Sequence, residues 1–267
     1  MRLLQKWILY IPYVLFSLFV LFPFFWGLRT SLAEQFDPRL IPSHFTLRHY
    51  QTLLSRPDFF LYLRNSLAIA SASILITLVI SALGGYALAR LRFKGKSLGG
   101  LLLILPLLPP VAILVPLISY FQRLRLYNTL SAVIIANVVF SLPLTVWMMR
   151  NFILSNPVEI EESARIDGCS RCRMLFSIVL PMVGPGLIAV ALFVFINSWN
   201  TYLFAFALTS SQSLRVIPQG ILAFLGTWGT YWGGLCAAGI LALIPPVALF
   251  LVFQKWFIAG VFGYQLK

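Results

Sequence analysis

Apolar residues arrive in this chain as long unbroken runs, not as strand-like alternation or as one face of a surface helix. The runs cover about 7–28, 65–89, 98–121, 130–149, 183–207 and 235–254. At 1.5 Å rise per residue, about twenty residues cross the ~30 Å hydrocarbon core of a bilayer. The pattern predicts an all-α polytopic membrane protein with six transmembrane helices in a single domain over residues 1–267.

The breaks between runs set the orientation. Arg90, Arg92, Lys94 and Lys96 form the densest basic cluster, which places that loop in the cytoplasm. With both termini inside, the inner segments hold twelve Lys and Arg and the outer ones eight. The first run is long enough to span and is followed by no small-residue cleavage site, so it reads as a retained signal anchor. Pro106, Pro109, Pro110 and Pro116 interrupt the third run. Proline frees carbonyls that lipid cannot satisfy, so this span is expected inside the bundle. Gly84 and Gly85 in the second run suit close helix packing.

Residues 156–181 are the exception: polar, and charged with both signs. They read as helix, glycine turn, helix, occupying a loop 150–181. Asn156 suits an N-cap, Pro157 the first helical position and Glu159 a capping carboxylate. Glu159, Glu161 and Glu162 crowd the positive end of the helix dipole. Asp167 and Gly168 stop the helix, and Ser170 caps a second one. The spacing of Glu162, Ser163, Ala164, Arg165, Asp167, Gly168, Ile178, Leu180 and Pro181 resembles the signature loop of ABC importer permeases. Ser163 departs from the alanine usual there. In that family the loop is a coupling helix that docks into a groove on a cytoplasmic ATPase. The resemblance implies that Glu162 pairs with a basic residue of that groove, that Ala164 permits close approach and that Gly168 sets the bend.

Composition removes several classes. The chain is 267 residues long, 60% hydrophobic and only 10% charged, against a usual quarter charged for soluble domains. The formal charge of +13 lies between apolar runs, which is a topology signal and not a nucleic-acid surface. Cys169 and Cys172 have C-x-x-C spacing but no completing pair, and His44 and His49 read as solvated loop residues, so no metal site is expected. Gly95, Lys96 and Ser97 mimic the tail of a phosphate-binding loop whose leading glycine would fall on Arg90, so no nucleotide site is expected either. The cores of the six runs carry no Asp, Glu, Lys, Arg or His. Ion-coupled carriers need such groups, so the walls are expected to be moved from outside; a passive channel satisfies the same observation.

Phe193, Asn197, Asn200 and Phe204 recur at helical spacing in the fifth run and predict a substrate-facing surface of amides and rings. Interhelical amide packing explains the same pattern. Asn197 to Tyr202 resembles the Trp-Asn element of sugar-importer permeases, with Trp199 and Tyr202 pointing elsewhere. Phe45 to Tyr50 and Leu63 to Ser66 resemble their outer loop and second span. The last outer loop, with Gln219, Gly220, Trp228 and Gly229, is similar to the loop that faces the solute-binding protein; an interfacial aromatic belt is the competing explanation. The tail ends in Tyr264, Gln265, Leu266 and Lys267, unlike the family.

The resemblance covers nearly the whole chain and is strongest to maltose-type permeases of the carbohydrate uptake class, with the type I importer permease fold. It implies a non-catalytic permease subunit of the bacterial or archaeal inner membrane. Its partners would be a second homologous permease, two ATPase subunits, an extracytoplasmic solute-binding protein and the lipid bilayer. No cofactor is expected in this chain; ATP and Mg would sit on the ATPases. A secondary carrier or passive channel for a small polar solute is the alternative.

Overall fold

The computed structural model describes residues 2–35, 37–92, 96–222, 224–226 and 229–262. In chain order the helices are α1 (Arg2–Ser31), α2 (Arg48–Leu54), α3 (Pro57–Arg90), a 3-10 segment (Lys96–Leu107), α4 (Pro110–Arg123), α5 (Leu130–Leu154) and α6 (Val158–Ile166). Next come α7 (Arg171–Met182), α8 (Gly184–Trp199), α9 (Leu203–Leu208) and α10 (Ile217–Leu222). A two-residue hairpin, β1 (Leu225–Gly226) with β2 (Gly229–Thr230), leads into α11 (Trp232–Phe262). Among the described residues the fold is otherwise all-helical.

Among the described residues four helices, α1, α3, α5 and α11, are long and apolar enough to cross a bilayer, and α7 with α8 makes an apolar pair of similar length bent by 80°. The chain is thus a multi-pass membrane protein, but the expected count of six is not met one for one. The third expected span, 98–121, is two elements: the 12-residue 3-10 segment, then the 14-residue α4. Pro109, extended at φ −64°, ψ 123°, ends one, and Pro110 opens the other. A residue before a proline is disfavoured in the helical region, and the extended backbone that Pro109 adopts ahead of Pro110 divides the apolar run. The fifth expected span, 183–207, also breaks: α8 stops at Trp199, and α9 begins only at Leu203.

The backbone packs as two compact units. One comprises Met1–Phe60 and Gln219–Ile244, the other Leu61–Pro218 and Pro245–Lys267. In the first unit α1 turns a continuous apolar surface outward, with Phe19 77% exposed, as a lipid-facing helix should. Its end is tied down. Arg29 is buried, lies 5.2 Å over the Trp26 ring and sits 3.7 Å from Asp37. Ser31 shares a 2.6 Å hydrogen bond with the Tyr50 hydroxyl. Asp37 accepts from the Arg39 and Ser43 N–H groups at 3.0 and 3.2 Å and from the Ser43 hydroxyl at 2.9 Å.

Among the described residues the second unit shows two cores. Ile69, Phe121, Ala132, Val133, Ala136, Ala205, Leu208 and Val216 form one. The other gathers Ala82, Tyr86, Met149, Ile153, Leu175, Val190 and Val194 from α3, α5, α7 and α8. Gly85 explains how α3 and α5 meet: a Cβ there would lie 2.6 Å from Met149 Cβ and 2.8 Å from the Arg150 nitrogen. Only a bare backbone permits that approach.

Polar staples hold the connections. Asn65 donates to the Ser213 and Arg215 carbonyls at 2.8 and 2.9 Å, and the Ser66 hydroxyl accepts from the Ile217 N–H at 2.9 Å. Asn128, at positive φ of 61°, accepts from the Ser210 and Ser211 N–H groups and donates to the Ser211 hydroxyl. Asparagine tolerates this left-handed conformation better than most residues.

Candidate functional site

Two features of the second unit hold most of the residues that the sequence singles out. The first is the α6–α7 elbow. Glu159 and Glu161 lie in the first turn of α6, where the dipole favours acids. Asn156 does not cap the helix; its side chain reaches back 2.9 Å to the Phe152 carbonyl and closes the end of α5 instead. Gly168 has φ +78°. Its N–H reaches the Arg165 carbonyl at 3.1 Å, and the Cys169 N–H reaches the Ala164 carbonyl at 2.9 Å. That pair of bonds is the left-handed closure a C-terminal glycine makes. The Ser170 hydroxyl then accepts from the Arg173 N–H and starts α7.

Burial sorts the signature residues into two faces. Glu162, Ser163, Arg165, Asp167 and Gly168 are exposed, and between them Ile166 is 87% exposed. Ser163 satisfies its hydroxyl on the Glu159 carbonyl at 2.9 Å, so it replaces alanine without disturbing the helix. Ala164, Ile178 and Leu180 instead pack against the core of α3, α5, α7 and α8. A π turn over Leu175–Val179 and Pro181 precede the 80° bend into α8. The elbow is therefore rooted by its apolar positions and presents a mixed charged and apolar tip.

One contact is invisible to sequence reasoning. Glu161, not Glu162, is the buried acid, and its carboxylate takes the Arg90 Nε–H at 2.7 Å and the Tyr86 hydroxyl at 3.3 Å. Arg90, counted in the sequence only as a topology signal, spans three elements.

The second feature is a cavity of about 320 Å³. Its wall includes Phe193, Asn197, Asn200 and Phe204, so the four residues do converge, although not along one helix. Asn200 is the C-cap of α8, and Phe204 reaches the cavity from α9. Tyr202 also lines it, contrary to expectation, because the break at 200–202 turns it inward; Trp199 is buried and stacks on Phe195. Asn197 and Asn200 each give one N–H to a carbonyl four residues back, at 2.9 Å. An amide retains a second N–H and a carbonyl for other partners. From α5, Asn137 donates to the Val133 carbonyl and to the Thr201 hydroxyl, and Phe140 packs 4.8 Å from Phe204.

The residues expected to face a solute-binding protein are divided. Gln219 and Gly220 lie half-buried in α10 and not in a loop. Gly229 opens β2 of the hairpin, and Trp228 lies outside the described residues, as do Lys94, Gly95 and the tail 263–267.

Residues 2–263 match the family described as binding-protein-dependent transport system inner membrane component. The trehalose/maltose transport system permease protein MalG of Thermococcus litoralis is 35% identical over 275 residues, covering 100% of this chain and 98% of that one. The sulfoquinovosyl glycerol transport system permease protein SmoH of Agrobacterium fabrum is 34% identical over 253 residues, covering 92% and 89%. A crystal structure of a bacterial ABC transporter involved in import of the acidic polysaccharide alginate contains a chain of the same fold. Its TM-score is 0.82 at 20% identity, covering 95% of this chain and 96% of that one.

Proposed function

This chain belongs to the family of binding-protein-dependent transport system inner membrane components, and on that premise we propose that it forms half of the pathway of an ATP-driven sugar importer. A second permease supplies the other half, two cytoplasmic ATPases drive the cycle, and an extracytoplasmic binding protein delivers the solute. The chain itself performs no chemistry; ATP and Mg bind the ATPases. The termini, the loop after α3 and the α6–α7 elbow lie in the cytoplasm, and the hairpin before α11 lies outside.

The observation that carries this reading is the elbow: an exposed tip of Glu162, Arg165, Ile166 and Asp167, rooted by Ala164 of α6 and by Ile178 and Leu180 of α7, which pack against the core. The elbow thus offers a mixed charged and apolar surface to a docking groove while that packing roots it. Nucleotide-driven closure of the ATPases moves the tip, and the rooted face passes the displacement to the helices. The cavity supports a sugar as cargo. Amides of Asn137, Asn197 and Asn200 hydrogen-bond hydroxyls, and the rings of Phe193, Tyr202 and Phe204 stack on the apolar face of a pyranose. The relatives named for trehalose/maltose and sulfoquinovosyl glycerol point the same way.

Reconstitution of the whole complex into liposomes tests the reading. Uptake should require ATP, and Gly168→Pro or Glu162→Lys should abolish ATPase docking and transport together. Transport by this chain alone, or docking and uptake that survive both substitutions, would overturn it.

A further inference from the structure

Three acids lie near the start of α6, and the fold uses them differently. Successive helical residues point about 100° apart, so Glu162 faces solvent while Glu161 turns into the protein. There it meets Arg90, the last residue of α3, with side-chain exposures of 8% and 13% for acid and base. The Arg90 guanidinium does more than neutralise it. Nη2 donates to the Ile153 carbonyl at 3.0 Å and to the Asn156 carbonyl at 2.9 Å. One planar side chain thus joins the end of α3, the end of α5 and the start of α6. The Tyr86 hydroxyl, one turn back on α3, holds the second carboxylate oxygen.

We propose that Arg90 and Glu161 are positioning residues that form the strut through which displacement of the elbow reaches α3. The proposal rests on the functional reading above and names the joint that reading leaves open. The elbow is continuous with α7, but the way into α8 crosses an 80° bend. No covalent path leads directly from α6 to α3; the two are 71 residues apart at this contact. Near the strut, Gly85 brings α3 against the backbone of α5 at Met149 and Arg150, so α3 cannot slide freely along α5. Displacement of α6 reaches α5 through the short link 155–157 and through the packing of Ala164; the guanidinium adds the direct polar tie that carries it to α3. A buried ion pair is a poor stabiliser compared with an apolar pair of equal volume. What it supplies is direction: a guanidinium fork fixes the angle between its partners, and an apolar contact does not.

The full complex in liposomes gives the test, read as sugar taken up per ATP hydrolysed. Glu161→Gln and Arg90→Met should leave the ATPase bound and hydrolysing, while uptake per ATP falls by at least about five-fold. The double variant Arg90→Met with Glu161→Met restores a packed apolar contact and should keep the complex stable, yet its ratio should stay low. A purely structural role predicts recovery in that double variant. A wild-type ratio in Glu161→Gln or in the double variant overturns the strut and leaves the importer reading standing. Absence of ATP-dependent uptake by the unaltered complex overturns the importer reading, and the strut with it.

Discussion

His49 donates through Nε2 to the Ala33 carbonyl at 2.8 Å. A carbonyl only accepts, so Nε2 carries the proton, and Nδ1 takes the hydroxyl hydrogen of Tyr231. The ring is 4% exposed and meets Tyr231 edge-on, with centroids 5.2 Å apart. Its sequence neighbourhood predicts a solvated loop histidine; it is instead the pin between the segment after α1 and the residue before α11. Tyr231→Phe keeps the ring and strands a buried acceptor, which costs about 1–3 kcal/mol. The expected result is a lower unfolding temperature in detergent together with faster amide exchange around residues 31–35. Unchanged exchange there would show that the pin holds nothing.

The crossing of α3 and α5 at Gly85 predicts a sharp asymmetry between glycines. Gly85→Ala forces a methyl to within 2.6 Å of Met149 Cβ, and overpacking of this kind costs about 1–3 kcal/mol. Gly239 lies in α11, where a methyl would meet nothing within 4 Å, and alanine there gains up to about 1 kcal/mol of helix propensity. Thermal unfolding of the purified chain should fall with the first substitution and hold or rise with the second.

Asp37 gives the loop after α1 a dependence on acid. The Arg39 N–H, with the hydroxyl and N–H of Ser43 and the nearby Arg29 charge, lowers its carboxyl from an ordinary 3.8 to about 2. A depressed folded value means that the ionised carboxylate holds the loop above about pH 4. The contribution fades as pH falls from there through about 2. Exchange of the Ser43 amide should accelerate across that window, and Asp37→Asn should remove the pH dependence.

Much of this molecule is legible as a string of residues, because lipid demands long apolar runs and a glycine at positive φ leaves a recognisable stop. The places where the string misleads share a cause. Prolines 109 and 110 divide one apolar run into two elements, and hydropathy alone does not register the break. Glu161 and Glu162 are equivalent in the string; only Arg90, 71 positions earlier, distinguishes them. Asn65 and Ser66 stand in a recognisable pattern, yet their carbonyl and amide partners lie about 150 residues further on. Helical spacing predicts the cavity wall from a single face, and the chain assembles it from α5, the end of α8 and α9 instead. Local chemistry can be read locally, whereas a role assigned by a distant partner cannot.

Ile166, 87% exposed at the last position of α6, stands between the charged Arg165 and Asp167. An apolar side chain of that size left in water is a cost that only a covering surface removes, so a polar residue at 166 should spare the fold of the isolated chain and weaken only what covers that position.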